Sequence, residues 1–313
     1  MAFPAALGGF HRWTAPPLRA PLFCRVKYGV QAMHRYILTV RCPDRPGIVH
    51  GFSEALLHAN ANILENAQFG DELTRSFCMR TRFETPLADI DIVEAHLQPA
   101  AGGFDAEMSI KSEATVPRML IMVSKFDHCL VDLLYRWRAG ELHVDIPLVV
   151  SNHPDCEAIV ERYGIPYVCL PVTKETKPVQ EKRLLELIAE HRVDFVVLAR
   201  YMQVLSPELC DALTGRAINI HHSFLPGFKG ARPYQQAYER GVKIIGATAH
   251  YVTSDLDEGP IIEQDVIRVN HTFDAEDFAV VGRDVERQVL ARAVRYQAEG
   301  RIMRLGNRVV VFH

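Results

Sequence analysis

Three side chains of the kinds that move protons and steady developing charge fall within one stretch, Ala217 to Asp265, which reads AINIHHSFLPGFKGARPYQQAYERGVKIIGATAHYVTSDLDEGPIIEQD. They are Asn219, His221 and Asp257. A carboxamide N–H can hold an oxyanion, and an imidazole changes charge close to neutral pH. A carboxylate can take a proton or keep a neighbouring imidazole in its donating form. Gathered at one point, the three suit attack on a carbonyl with departure of a nitrogen. Each also has a plainer reading. Asn219, His221 and the adjacent His222 could order a loop, and Asp257 could simply begin an Asp-Glu-Gly-Pro turn.

What would bring them together is a sheet edge. Ala217, Ile218 and Ile220 read as the tail of a buried strand, which puts Asn219, His221 and His222 where strand gives way to loop. In open α/β sheets ligands sit at that end of the strands. A second apolar run, Ile244 to Val252, returns the chain and delivers it into SDLDEGP, whose Gly and Pro mark a turn.

The ordered pair NIHHSFLP and TAHYV..DLDEGPII resembles the catalytic core of the folate-dependent formyltransferase family. That resemblance implies a formylated tetrahydrofolate as substrate, Asn219, His221 and Asp257 as catalytic groups, and no cofactor or metal. It also implies that ARYMQVLSPEL, Ala199 to Leu209, lines the pterin pocket through Met202, Gln203, Val204 and Leu205, with His222 and Gly259 as further substrate contacts. Taken alone, Met202, Val204 and Leu205 read as core. Gln203 stands where the ribonucleotide transformylases of the family carry Arg, and His222 where they carry Pro. Glu286 aligns with a carboxylate that meets the acceptor amine in those enzymes, and reads equally well as an exposed helix charge. Their phosphate-holding loop, rich in glycine, is here Ser124-Lys125-Phe126-Asp127-His128. Backbone close to a phosphate needs Gly, and a carboxylate there repels the anion. Water is then the acceptor, and the implied reaction is hydrolysis of 10-formyltetrahydrofolate to tetrahydrofolate and formate. Two alternatives stand beside it: formyl transfer to an acceptor that is not a ribonucleotide, and an inert amino-acid-sensing regulator.

The remainder of the chain divides by pattern. Residues 1–33 contain four cations and no Asp or Glu, and read as an extension from a start placed too far upstream. Residues 34–115 read as strand, helix, strand, strand, helix, strand: Ile37 to Val40, Ile48 to Ala59, Ile63 to Phe69, Ser76 to Phe83, Asp89 to Gln98 and Met108 to Lys111, with a turn at Gly70-Asp71. This βαββαβ order with DRPGIV resembles the ACT domain, a ferredoxin-like regulatory module. The resemblance implies an amino-acid effector such as methionine or glycine near Asp44, Arg45 and Gly47, and a homo-oligomer built through this module.

After Val116-Pro117, strands and helices alternate through residues 116–313, starting from the apolar run Met119 to Val123, as in a doubly wound, mostly parallel sheet. No G-x-G-x-x-G or G-x-x-x-x-G-K-[ST] is present, which argues against a dinucleotide. A net charge of -3 gives no electrostatic case for nucleic acid or membrane partners. The seven cysteines are scattered without a C-x-x-C, as suits a reducing cytoplasm better than a disulfide framework.

Overall fold

The structure of the chain, a computed structural model, describes residues 32–227 and 233–313. The N-terminal extension up to residue 31, Cys24 and the centre of the HHSFLPGFKGARP run lie outside the described residues.

The first module comprises β1 (His34–Pro43), α1 (Ile48–His58), β2 (Asn62–Asp71), β3 (Ser76–Thr85), α2 (Ile90–Phe104) and β4 (Glu107–Ser112). The sheet is antiparallel in the order β2-β3-β1-β4, the ferredoxin-like arrangement. β1 shows why the sheet has one covered face. Tyr36, Leu38, Val40 and Cys42 are buried in alternation with the half-buried Ile37, Thr39 and Arg41, and meet Phe52 and Leu56 of α1 and Leu97 of α2 in one core. Several elements run longer than the pattern reading, and two of the differences move a turn or cross a proline. β2 runs through Asp71, so the turn is at residues 72–75, where Asp71 accepts from the Thr74 backbone N–H. α2 continues past Gln98 through Pro99 to Phe104. An internal proline costs about 3 kcal/mol, which burial of Leu97 and Ala101 and stacking of Phe104 on Phe52 offset.

The second module begins with β5 (Met119–Val123), α3 (His128–Arg138), β6 (Val149–Ser151), α4 (Glu157–Glu161), β7 (Tyr167–Cys169), α5 (Lys177–Glu190) and β8 (Phe195–Leu198). It continues with α6 (Pro207–Ala212), β9 (Ala217–His221), α7 (Pro233–Glu239), β10 (Ile244–Tyr251), β11 (Ile261–Arg268), α8 (Ala275–Ala298) and a hairpin of β12 (Ile302–Leu305) and β13 (Arg308–Val311). Its sheet has the order β11-β10-β9-β8-β5-β6-β7. The five strands from β9 to β7 in that order are parallel, and β10 pairs antiparallel with both β9 and β11. Separate apolar cores cover its two faces, which is why β5 and β8 are continuous apolar runs.

Strand order reverses between β5 and β8, and the crevice at such a reversal is where ligands bind in this class of sheet. Ser124, just beyond β5, ties the crevice together. Its hydroxyl bonds Asn152 Oδ1 at 2.6 Å and accepts from the Met202 N–H at 2.9 Å.

The C-terminal hairpin was not apparent from sequence periodicity. Leu305 and Phe312 pack on Cys78 of β3, and Arg308 bridges to Asp71 at 2.5 Å. Arg80, 4% exposed, donates to the Gly300 and Glu299 carbonyls at the end of α8. A cation there complements the helix dipole and joins the two modules.

Candidate active site

Register between β9 and β10 sets the first contact. His250 pairs across the ladder with Asn219, and Asn219 Nδ2 lies 3.2 Å from His250 Nε2. The other ring nitrogen, Nδ1, is 2.9 Å from the Tyr251 carbonyl oxygen. A carbonyl only accepts, so Nδ1 carries the proton and Nε2 accepts from the Asn219 amide. Burial, above all, pushes the His250 ring below its ordinary pKa and keeps it neutral. Asn219 is thereby held with its second N–H available to the cavity.

The turn after β10 supplies the carboxylate. Asp257 has φ 58°, in the left-handed region that few residues other than Gly, Asn and Asp adopt. Its Oδ1 is 3.2 Å from His221 Nδ1 and 3.8 Å from His250 Nε2. Burial pushes the Asp257 carboxyl up, but the hydrogen bond from His221 and the fields of His221, His250 and His222 outweigh it, leaving the group below its ordinary value. His221 is buried, and its Nε2 has no hydrogen-bond partner among the described residues. A buried ring nitrogen without a partner, beside a cavity, is the atom to expect against a reacting group.

The cavity measures about 280 Å³ and is walled by Asn219, His221, His222, His250 and Asp257, by residues 200–205 and by the turn at 252–257. Met202, Val204 and Leu256 expose large apolar side chains at 51%, 57% and 58%, a surface suited to a flat heterocycle. Leu205 lines the cavity but also belongs to the core beneath it. Gly259 does not line the cavity. It is buried behind His250, where a Cβ would lie 1.7 Å from the Tyr251 carbonyl oxygen. The close approach demands glycine, which gives Gly259 a backbone role at this turn.

Sequence reasoning did not single out His250, Arg200 or Tyr234. It also allowed Glu286 to be an exposed charge, whereas Glu286 is 1% exposed. The Glu286 carboxylate contacts His128 Nε2 at 2.9 Å and accepts from the Tyr234 hydroxyl at 2.5 Å, with Arg200 Nε 3.4 Å away. Burial raises this carboxyl, and the His128 hydrogen bond with the Arg200 charge more than reverses the effect. His128, Cys129 and Glu286 bring ligand-type atoms within 4.8 Å of one another. Burial holds the Cys129 thiol protonated, and the Arg200 cation already faces the carboxylate, so the trio is poorly suited to a metal ion.

His222 lies between His221, tilted against it, and Tyr234, which it meets edge to face, with ring centroids 5.1 and 6.0 Å away. Burial, and then the Arg200 charge, push its pKa from 6.5 to about 3. The unfolded chain therefore binds a proton here that the folded protein refuses across that window, and stability must fall as pH drops through it. His250, also lowered, adds in the same sense. Asp257 adds stability above the ordinary carboxylate pKa that is lost as pH falls through its lower folded value. Melting temperature is expected to decline below about pH 6.5, less steeply in His222→Gln than in the parent. Equal slopes in the two proteins would refute the assignment to His222.

Asp44, Arg45 and Gly47 lie at the start of α1, remote in sequence from these groups. Gly47 has φ 95°, and Arg45 donates to the Gly103 carbonyl at 2.7 Å while lying over the Phe104 ring. Arg45 thus fastens α1 to the end of α2.

A formyl transferase family profile matches residues 117–294. The chain is 48% identical over 279 residues to formyltetrahydrofolate deformylase of Corynebacterium sp. strain P-1, covering 88% of this chain and 98% of that one. It is similar to the crystal structure of formyltetrahydrofolate deformylase from Burkholderia mallei ATCC 23344, with 48% identity, a TM-score of 0.85 and coverage of 90% and 100%. The enzyme of the same name from Pseudomonas syringae pv. tomato DC3000 gives 45% identity, a TM-score of 0.87 and coverage of 91% and 96%. Likeness at this level extends well beyond the formyl transferase region and takes in nearly the whole length of each relative, so the chain belongs to the formyltetrahydrofolate deformylase family.

Proposed function

We propose that this protein hydrolyses 10-formyltetrahydrofolate to tetrahydrofolate and formate. The observation that carries the reading is the buried His221 Nε2, without a partner among the described residues, backed by Asp257 and set beside Asn219 at the wall of a cavity with an apolar mouth. The free N–H of Asn219 receives the formyl oxygen as it becomes an oxyanion, an interaction worth about 3 to 4 kcal/mol in comparable sites. His221 Nε2 takes a proton from water as the water oxygen attacks the formyl carbon. Asp257, ionised and 3.2 Å from Nδ1, stabilises the imidazolium that results. When the C–N bond breaks, His221 returns the proton to N10 of the folate. The products are the tetrahydrofolate amine and formic acid, which ionises in water. Exposed Met202, Val204 and Leu256 hold the pterin.

Water as acceptor is supported by the loop after β5. Ser124 is taken up by Asn152 and the Met202 N–H, and Phe126 lies under the guanidinium groups of Arg200 and Arg283. That loop offers no cradle for a phosphorylated acceptor. For the first module we infer an ACT-type role: an amino acid such as methionine or glycine binds near Asp44, Arg45 and Gly47 and shifts the population of active homo-oligomers in the cytoplasm. The ferredoxin-like sheet and the exposed Ile63 and Phe69 on its edge strand β2 support it.

Both readings are tested in one assay of formate release without any amine acceptor, run with and without millimolar methionine or glycine. Formate equal to tetrahydrofolate is expected, at a rate that depends on one of the amino acids. Release only on addition of an amine would overturn the hydrolytic reading, and an unchanged rate the regulatory one.

A further inference from the structure

Arg200 stands outside the mechanism above, yet among the described residues it is the one Lys or Arg that lines the cavity. It follows β8 at the strand-order reversal, with φ 65° and 8% exposure. A guanidinium has five N–H donors and is costly to bury without acceptors. Here Nε is a buried donor with no hydrogen-bond partner among the described residues. Glu286 Oε2 is 3.4 Å from it, an ion-pair distance that does not form a hydrogen bond, and that carboxylate already engages His128 and Tyr234. The Phe126 ring, 5.5 Å from the guanidinium carbon, engages the face of the group and none of its N–H bonds. Arg200 is thus partly balanced in charge and short of acceptors.

The geometry points to Arg200 as the anchor of a small carboxylate: it takes the formate product, and joins Asn219 in holding the oxyanion that precedes it, through charge-assisted hydrogen bonds. The inference rests on the hydrolytic reading, which generates that anion in this cavity. A planar monoanion with two acceptor oxygens matches the guanidinium fork. Glu286 limits the strength of the anchor. Its negative charge opposes a second anion, so formate is held weakly enough to leave.

The test titrates 13C-labelled formate into the full chain without folate and follows its NMR line width. Saturable broadening reversed by nitrate is expected for the parent. Arg200→Met, which keeps a long stem against Phe126, should weaken binding at least tenfold. Arg200→Lys should be intermediate, since it keeps the charge and loses the fork. Glu286→Gln should tighten binding severalfold, because it removes the opposing charge. A merely structural role for the pair would weaken binding in both Arg200→Met and Glu286→Gln. In turnover, Arg200→Met should lower kcat and leave KM for the folate little changed. No saturable binding by the parent, parent-like affinity in Arg200→Met, or weaker binding in Glu286→Gln would each overturn the assignment. Formate binding as described in a protein that releases no formate would instead count against the hydrolytic reading.

Discussion

Asp257→Asn lowers turnover at least about a hundredfold, the range for loss of a group that supports proton transfer, while Asp255→Asn stays within about threefold of the parent. Asn accepts left-handed backbone nearly as well as Asp, so the φ of 58° survives the change. Lost are the charge that steadies the His221 imidazolium and the acceptor that keeps a proton on Nδ1. Asp255 lines the same cavity but is exposed, and no ion pair involving it is found among the described residues. Steady-state rates of the two variants decide the matter. A severe Asp255→Asn and a mild Asp257→Asn would reverse the assignment within the turn.

Gly259→Ala damages both stability and rate. The added methyl carbon would stand 1.7 Å from the Tyr251 carbonyl oxygen and 2.9 Å from its carbon, and backbone cannot give way there as a side-chain tip could. Either the turn carrying Asp257 or the end of β10 must move. Tyr251 ties them together, since its N–H bonds the Pro260 carbonyl and its own carbonyl receives the proton of His250 Nδ1. A misfit of this kind costs on the order of 3 kcal/mol, and a melting temperature lower by about 5 °C or more should accompany it. Turnover should fall at least about a hundredfold, because the tautomer of His250 fixes the direction of the Asn219 amide. A higher KM with unchanged kcat and melting temperature would instead make Gly259 a substrate contact.

The legible and illegible parts of this protein separate along a physical line. Met119–Val123 and Phe195–Leu198 were readable because a strand buried on both faces has to be apolar throughout. Asn219 and His221 were readable because polar residues at the end of such a strand are conspicuous, although Asn219 proved to lie within β9 itself. His250 was not, although it stands in the quoted motif. Its role depends on which residue of β10 faces Asn219, and antiparallel register is settled by tertiary packing. Glu286 stayed open between a site contact and a surface charge for a related reason. A carboxylate in a helix sequence reads as a surface charge, and only the arrival of His128, Tyr234 and Arg200 from three other parts of the chain makes its burial tolerable. The continuation of α2 through Pro99 shows local propensity yielding to packing.

The central claim is that water supplies the second oxygen of the released formate. A single turnover in water enriched in 18O tests it most directly, with formate isolated promptly and analysed by mass spectrometry. The account predicts one solvent-derived oxygen in each formate, formed in step with tetrahydrofolate and without any amine present. Formate carrying no solvent oxygen, or formyl label recovered on an added amine in place of formate, would contradict it.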